Sequence, residues 1–324
     1  FVVTNGVLPE GAFSNTVDGL YYGVRYYYRC YATNSSGHDW ANETTNFVTA
    51  APDGSWTPAE ITTEVWFDAD DEDTIATNAS GVTQWDDKSG NDIHVTENNA
   101  TLQPNYNPTG FNGKPTLEFR NHTSNKGDCL GNTMSGNKPA VAEFTLFVIV
   151  DNISSNTIDQ WIGCLYMQNA GGTKENRLHL GSDPRWSSDA SNGRATTTRV
   201  TGQQIIGMEF SSSTPRYWRN GTNATATPTT GFTITDWTNI NANTGYGIGG
   251  RNFGDGHASA TMDLSEWIHI ANCSTSIRER VEGYLAWKWH LQGSLPGGHP
   301  YKSSPPLGTN GTSLAITATT ATNV

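Results

Sequence analysis

The sequence predicts an all-β protein built from β-sandwiches, with one helix near its C-terminus. Three observations favour this fold class. Charged residues make up only 15% of the 324 residues, whereas the chain holds 34 Gly, 11 Trp and 12 Tyr, a balance typical of turn-rich β proteins. Apolar or alternating runs of strand length recur between turn residues. Only one stretch has helical spacing. The length predicts one large domain and a small one.

The first element is an aromatic strand, YYYRCYA. Alternation along a strand places Tyr26, Tyr28 and Cys30 on one face, and Tyr27 and Tyr31 on the other. We expect the first face to be buried, with Cys30 as a core thiol.

Together with the turn Asn-Ser-Ser-Gly, this strand resembles the end of a fibronectin type III domain. Only about 25 residues precede the strand, so the resemblance implies a partial fibronectin type III-like sandwich over residues 1–52. The Pro- and Gly-punctuated stretch 53–60 is expected to be a linker.

The large domain is predicted from a series of short apolar or alternating runs separated by turn residues, which is typical of a sandwich. Asn220-Gly221 predicts a type I′ hairpin turn, because both residues tolerate positive φ. The predicted strands are 143–152, 161–168, 203–212, 214–223, 244–252 and 265–273.

The single helix is predicted over residues 276–292. Ser276 and Glu279 form a capping box at its start, and Gly293 ends the run. We expect Trp287 and Trp289 to pack this helix onto the sandwich. An apolar stripe at helical spacing marks the buried side, and it consists of Ile277, Val281, Tyr284 and Leu285.

Four motifs in this order, VWFDADDEDT, WDDKSGNDIHV, GFNGKPTLEF and YLAWKWHLQG, resemble the laminin G-like modules of large bacterial surface proteins. The resemblance implies a concanavalin A-like (laminin G-like) β-sandwich over residues 61–305. The alternating tail, 306–324, is then expected to be a strand of a following or neighbouring sandwich.

Catalytic groups are sought first among paired carboxylates, because the concanavalin A-like fold hosts glucanases as well as binding modules. Retaining glucanases of this fold carry Glu-x-Asp-x-Glu on one strand, and the sequence lacks that spacing. No catalytic triad context or cofactor motif is found either. These absences predict that the chain is not an enzyme.

The acidic segment FDADDEDT is interpreted as a solvated turn at a strand end, with calcium as the alternative. Its candidate calcium ligands are Asp68, Asp70, Asp71 and Asp73. Laminin G-like modules often place an aspartate before the strand that resembles SEWIHI, where this chain has Ser265 and Glu266. That departure weakens the calcium site that the resemblance implies. No other cofactor is predicted.

Sugar binding would require exposed aromatic rings beside hydrogen-bonding groups. Trp186, Tyr217, Trp218 and Trp237 are the candidates, with core packing as the alternative for each. Among the cysteines, Cys129, Cys164 and Cys273 could supply one disulfide, and the pairing stays open.

Ten Asn-x-Ser/Thr acceptor sites suggest glycosylation in an extracellular chain, and Asn220 is expected to be the most exposed because it lies on a hairpin tip. The sites are Asn34, Asn42, Asn78, Asn99, Asn121, Asn152, Asn220, Asn223, Asn272 and Asn310. The formal net charge of -12 argues against nucleic acid as a partner. The lack of a long apolar run argues against membrane insertion.

The leading functional hypothesis is an extracellular structural or adhesive protein, a repeating unit of a surface filament. Neighbouring copies would join end to end, by strand addition to the incomplete N-terminal sandwich. The alternative is a lectin-like carbohydrate-binding module. A glycoside hydrolase or polysaccharide lyase rests on fold analogy alone.

Overall fold

A computed structural model describes residues 25–35, 37–48, 54–123, 126–134, 143–152, 161–169, 172–179, 185–188, 193–196, 200–211, 214–228, 244–249, 261–272 and 274–308. The chain divides into two compact units, Phe1–Trp56 with Pro305–Val324, and Thr57–Ser304. Antiparallel sheets dominate, and the described residues contain one α-helix. The predicted all-β sandwich class is therefore confirmed.

The smaller unit contains two separate two-stranded antiparallel sheets in its described part. Its strands are β1 (Arg25–Tyr28), β2 (Tyr31–Asn34), β3 (Gly37–Trp40) and β4 (Thr45–Val48). β1 pairs with β4, and β2 pairs with β3. An isolated antiparallel bridge joins Ser55 to Leu307, so the chain returns to this unit after the larger one.

The aromatic strand is not the single buried strand that the sequence predicts. It breaks at Arg29 and Cys30, because β1 and β2 pair with different partners. Tyr28 is 40% exposed even though its ring lies 6.1 Å from that of Phe47. Cys30 is a free thiol and only half-buried, so its assignment to a core is wrong.

The larger unit is built on two antiparallel sheets. The first has the strand order β21-β20-β19-β14-β24-β10-β9, and β5 also pairs with β24. Its strands are β5 (Thr63–Asp68), β9 (Asn105–Phe111), β10 (Lys114–Phe119), β14 (Phe144–Asn152), β19 (Gly202–Ser211), β20 (Thr214–Arg219), β21 (Thr222–Asn223) and β24 (Met262–Ile270).

The second sheet has the order β22-β18-β17-β16-β15-β23-β13-β8-β7-β6. Its strands are β6 (Ile75–Asn78), β7 (Gly81–Trp85), β8 (Val95–Thr96), β13 (Leu130–Met134), β15 (Trp161–Asn169), β16 (Gly172–His179), β17 (Arg185–Ser188), β18 (Gly193–Thr196), β22 (Thr227–Pro228) and β23 (Thr244–Ile248). A short hairpin pairs β11 (Asn121–Thr123) with β12 (Lys126–Gly127).

The core lies on both faces of β14, where every position from 144 to 150 is buried. Successive side chains of a strand point to opposite faces, so both faces of this strand must be covered. The single helix, α1 (Thr275–Lys288), packs on β14 and β19. A helix on the sheet therefore explains why β14 is buried at successive positions rather than at alternate ones.

Helix α1 begins earlier than predicted. Its N-cap is Ser274, whose hydroxyl accepts a hydrogen bond from the Ile277 amide at 3.4 Å, so the predicted cap at Ser276 is wrong. Val281 and Leu285 of the predicted stripe are fully buried. The helix ends at Lys288. The described residues also form short 3-10 helices at Pro58–Glu60, Glu72–Thr74 and Gln292–Ser294.

The predicted hairpin at Asn220-Gly221 is confirmed. The two residues have φ values of 49° and 75°, as a type I′ turn requires. In the part of the chain that the structure describes, no helix is long and apolar enough to cross a membrane.

Candidate functional site

An open polar depression lies where β5 ends and the 3-10 helix Glu72–Thr74 begins. Its volume is about 530 Å³. We call it the acidic pocket, defined by the residues that line it, which are Asp68, Asp70, Asp71, Glu72, Asp73 and Lys88. The sequence-based prediction of a strand that enters an acidic turn is thus confirmed.

Lys88 reaches the pocket because a turn in the WDDKSGND segment holds it there. The Asp87 carboxylate accepts hydrogen bonds from the amides of Trp66 at 2.8 Å, Ser89 at 2.9 Å and Ile93 at 3.1 Å. The Lys88 amide in turn donates to the Trp66 carbonyl at 2.8 Å. The segment therefore forms the turn closed by an aspartate side chain that its composition predicts.

Lysines pair with three of the four predicted calcium ligands. Lys88 Nζ lies 2.8 Å from Asp68 and 2.7 Å from Asp71, and Lys114 Nζ lies 2.8 Å from Asp70. Among the described residues, no group of three or more His, Cys, Asp or Glu side chains is arranged to hold a metal ion. Calcium would have to displace these lysines, so calcium binding here stays a prediction.

Asp68, which forms the floor of the acidic pocket, also belongs to a buried ion cluster. We define this buried ion cluster as Asp68, Glu266 and Lys288. Lys288 Nζ lies 2.5 Å from Asp68 and 3.0 Å from Glu266. Glu266 is 0% exposed. Its carboxylate also accepts hydrogen bonds from Trp66 Nε1 at 2.8 Å, Tyr284 OH at 2.9 Å and Trp289 Nε1 at 2.5 Å.

The ion cluster keeps the pocket floor charged. Burial would raise the pKa of Asp68, but the charges of Lys288 and Lys88 outweigh it and lower that pKa below its ordinary value. Burial would likewise lower the pKa of Lys288, but Asp68 and Glu266 raise it above its ordinary value. Burial raises the pKa of Glu266, and Lys288 opposes that shift. Asp68 and Lys288 are therefore both ionised at neutral pH.

A tyrosine lies beside the pocket. The half-buried Tyr106 in β9 donates its hydroxyl to Glu72 Oε1 at 3.2 Å. Burial and the neighbouring charge of Glu72 raise the pKa of Tyr106. Because the phenol stays protonated, it keeps Glu72 oriented and adds an aromatic ring to the polar groups of the site.

Burial rules out Tyr217 as a sugar-stacking residue, whereas Trp218 is half-buried and already contacts other side chains. Tyr217 is 1% exposed and belongs to the core. The Arg278 guanidinium lies 3.6 Å from the centroid of the Trp218 ring, and Trp218 Nε1 donates to Glu209 at 3.1 Å. The side chain of Trp186 in β17 and the whole of Trp237 lie outside the described residues.

Two exposed aromatic residues were missed in the sequence. Tyr31 and Trp40 are 46% and 48% exposed, and they face each other across the hairpin of β2 and β3. The Asn-Ser-Ser-Gly turn between them was the available signal, because a tight turn fixes which residues are cross-strand neighbours. Glu266 and Lys288 were also missed, although each is a charged residue within an apolar run.

Cys129, a candidate for a disulfide, is buried, with 2% of its surface exposed. Its sulfur lies 3.1 Å from Glu97 Oε2 and donates a hydrogen bond to it. Cys164 lies in β15, but its side chain is outside the described residues. The whole of Cys273 is also outside them. One disulfide among Cys129, Cys164 and Cys273 stays a prediction, with its pairing open.

The acceptor asparagines differ in exposure from the prediction. Asn220 is half-buried, although the sequence predicts it to be the most exposed of these sites. Its side-chain oxygen accepts a hydrogen bond from the Ile205 amide at 2.8 Å. Its neighbour Gly221 lies against His299 and Pro296, which explains the loss of exposure. Asn42, Asn78, Asn99, Asn223 and Asn272 are exposed, while Asn310 and the side chains of Asn34, Asn121 and Asn152 lie outside the described residues.

His269 makes stability depend on pH. Burial lowers the pKa of His269 to about 3, so the folded protein keeps it neutral while the unfolded chain binds a proton below about 6.5. The contribution of His269 to the free energy of unfolding is therefore fully present above pH 6.5. It is lost as the pH falls toward 3, by up to about 1.4 kcal/mol per pH unit. In urea unfolding, His269→Leu is expected to flatten this slope. Equal slopes in the two proteins would contradict the assignment.

The fold and the pocket define an all-β sandwich with a preorganised polar site at a strand end. No model of a known family matches the sequence, and no curated protein matches it.

Solved structures that are similar include a Trypanosoma rangeli sialidase in complex with sialic acid, at 13% identity and a TM-score of 0.48. The match covers 71% of this chain and 33% of the sialidase, so the chain spans about a third of that protein. Domain 4 of a GH43 extracellular arabinanase from Geobacillus stearothermophilus, in complex with arabinotriose, is 13% identical over 67% of this chain and 96% of that domain, with a TM-score of 0.42. A mutant GH54 α-L-arabinofuranosidase is 11% identical over 76% of this chain and 60% of its own, with a TM-score of 0.39.

The prediction that the chain is not an enzyme is contradicted by these matches, which are to glycoside hydrolases or parts of them. The Glu-x-Asp-x-Glu spacing is only one arrangement of catalytic carboxylates, so its absence does not exclude catalysis. At these identities and TM-scores, the matches transfer no activity, ligand or residue role to this chain. The laminin G-like and fibronectin type III resemblances stay predictions.

Proposed function

We propose that this chain binds carbohydrate and that the acidic pocket is the binding site. One observation carries the proposal, namely an open depression of about 530 Å³ lined by five carboxylates and one ammonium group. This volume is within the range of small-molecule sites, roughly 300–1,000 Å³. Sugar hydroxyl groups donate hydrogen bonds to carboxylates and accept them from ammonium groups.

The polar groups of the pocket are held in place before any ligand arrives. Lys88 bridges Asp68 and Asp71, Lys114 holds Asp70, and Tyr106 orients Glu72. Binding to such groups loses little side-chain entropy, which favours affinity for a small polar ligand.

The charge and polarity of the site favour this ligand class over others. An apolar ligand would have to strip water from carboxylates, which costs free energy. The excess of carboxylates over ammonium groups in the lining repels anions. Neutral sugars and amino sugars avoid both penalties. Their hydroxyl groups can hydrogen-bond to the carboxylates, and they carry no negative charge.

Glu72→Gln and Asp73→Asn test the pocket, because each keeps the side-chain shape and removes one anionic acceptor. Each is expected to weaken binding of a neutral oligosaccharide by about tenfold or more, since hydrogen bonds to charged groups contribute about 1.5–3 kcal/mol. Isothermal titration calorimetry against oligosaccharides of glucose, xylose, arabinose and N-acetylglucosamine provides the measurement.

Asp92→Asn is the matched control, because its side chain is 82% exposed and lies outside the pocket lining. It is expected to leave affinity unchanged. Equal affinities for all four proteins would rule out the pocket as the site. The same mixtures are assayed for released sugars, because a hydrolase and a lectin share the recognition step and differ in product.

We further propose an extracellular location and, as a second candidate function, end-to-end association of copies through the β1–β4 sheet. The supporting observation is the exposure of the smaller unit, in which no described side chain between residues 26 and 48 is buried. Tyr26 and Tyr28 meet Phe47 with ring centroids 6.0 and 6.1 Å apart. A two-stranded sheet alone is marginally stable, so an added strand would stabilise it.

Deletion of residues 313–324 tests whether the C-terminal tail supplies that strand. Sedimentation velocity and negative-stain microscopy are expected to show oligomers of the whole chain and fewer oligomers of the truncated one. Monomers in both samples, or unchanged oligomers after truncation, would contradict strand addition by the tail.

A further inference from the structure

The hairpin of β2 and β3 carries a continuous row of aromatic and cationic side chains. We call it the aromatic strip and define it as Arg29, Tyr31, His38 and Trp40. In the register of the hairpin, Tyr31 is opposite Trp40 and Thr33 is opposite His38. Residues two apart on a strand share a face, so both aromatic rings and the imidazole lie on the same side of the hairpin.

The side chains of the strip contact one another. The ring centroids of Tyr31 and Trp40 are 4.6 Å apart, and those of Tyr31 and His38 are 5.6 Å apart. The Arg29 guanidinium lies 5.8 Å from the centroid of the Trp40 ring, and its Nε donates to the Ala41 carbonyl at 2.6 Å. These contacts hold the rings in a defined arrangement.

Half of each aromatic side chain remains in water after these contacts, since Tyr31 is 46% and Trp40 48% exposed. Elsewhere the chain buries tryptophan efficiently, with Trp56, Trp85 and Trp289 at 1% exposure or less. Of the tryptophans whose side chains the structure describes, Trp40 is the most exposed. An exposed aromatic pair costs solvation free energy, and a ligand that covers it recovers that cost.

We propose that the aromatic strip is a second carbohydrate-binding surface, which stacks against the flat face of a sugar ring. A pyranose or furanose ring presents C–H groups on its faces and hydroxyl groups on its rim. The faces match the rings of Tyr31 and Trp40. The rim hydroxyl groups match the hydrogen-bonding groups of Arg29 and His38. The aromatic strip belongs to the smaller unit and the acidic pocket to the larger one, and the inference does not depend on the acidic pocket.

The size and charge of the strip favour a sugar over other partners. Four side chains are far fewer than the roughly 20–30 residues a side of a stable protein interface. The same hairpin also carries an acid, Asp39, whose carboxylate accepts a hydrogen bond from the Trp40 amide at 2.8 Å, so the hairpin is not a purely cationic surface. A nucleic acid would also meet the net charge of -12 on the chain.

The experiment uses the full chain and insoluble cellulose, xylan and chitin in pull-down assays, with titration of the matching soluble oligosaccharides. Tyr31→Ala and Trp40→Ala are each expected to lower affinity about tenfold or more. Trp40→Tyr keeps an aromatic ring and should retain most of the binding, which separates loss of stacking from loss of folding.

Two controls make the outcome specific. Tyr27→Ala removes an aromatic side chain that is 67% exposed but outside the strip, and it is expected to bind as the wild type does. Glu72→Gln reports on the acidic pocket in the same assay. Binding that survives Trp40→Ala and fails with Glu72→Gln would overturn the aromatic strip and leave the pocket proposal standing. Absence of binding to all three polysaccharides, or self-association abolished by Trp40→Ala, would also overturn it.

Discussion

Lys288→Met is expected to destabilise the larger unit by about 3–5 kcal/mol, the usual effect of breaking a buried ion pair. Lys288 compensates two carboxylates at once, since its ammonium group lies 2.5 Å from Asp68 and 3.0 Å from Glu266. Both acids are nearly or fully buried. Methionine keeps the length of the side chain, so the change removes the charge without opening a large cavity.

Urea unfolding at neutral pH, followed by tryptophan fluorescence, measures this effect. Lys88→Met is the matched control, because Lys88 contacts the same Asp68 but its side chain is 21% exposed. Its removal should cost clearly less, about 1–2 kcal/mol, since water screens a partly exposed pair. A loss for Lys288→Met no larger than that for Lys88→Met would mean that the buried ion cluster does not stabilise the fold.

Trp289→Ala is expected to have a comparably large effect, about 3–5 kcal/mol, because it leaves a cavity in a close-packed core. The side chain is 0% exposed. It packs edge-on against Phe111 with ring centroids 5.9 Å apart and donates its indole N–H to Glu266 at 2.5 Å. It therefore joins the end of helix α1 to both the core and the ion cluster.

Trp289→Phe separates these two contributions, because it retains most of the apolar volume and removes the N–H donor. It is expected to cost about 1.5–3 kcal/mol, the usual value of a hydrogen bond to a charged group. The midpoints of urea and thermal unfolding give both numbers. If phenylalanine and alanine destabilised the protein equally, packing of the ring would contribute nothing beyond its hydrogen bond.

The buried ion cluster also links these stability predictions to the proposed site. Asp68 belongs to both the cluster and the lining of the acidic pocket. A variant that releases Asp68 from Lys288 is therefore expected to disorder the pocket floor as well as weaken the core. For this reason the binding tests use Glu72 and Asp73, which are exposed and do not contact Lys288.

The elements that the sequence determined are those whose signals are local. Asn220-Gly221 sets its own turn through the φ values that its two residues tolerate. β14, predicted over 143–152, is found at Phe144–Asn152, because a continuous apolar run of strand length is its own signal. Asp87 closes the turn of WDDKSGND through amides that lie, except for Trp66, within a few residues of it.

Tertiary structure alone decided which charged residues pair at the site and which aromatic residues are buried or exposed. Asp68 and Lys288 are 220 positions apart, and Trp66 and Glu266 are 200 apart, so no spacing in the sequence pairs them. Tyr217 and Trp40 are both aromatic residues of β-hairpins, yet one is 1% and the other 48% exposed. Alternation indicates which residues share a face of a strand, but what covers that face is decided by elements far away in the chain.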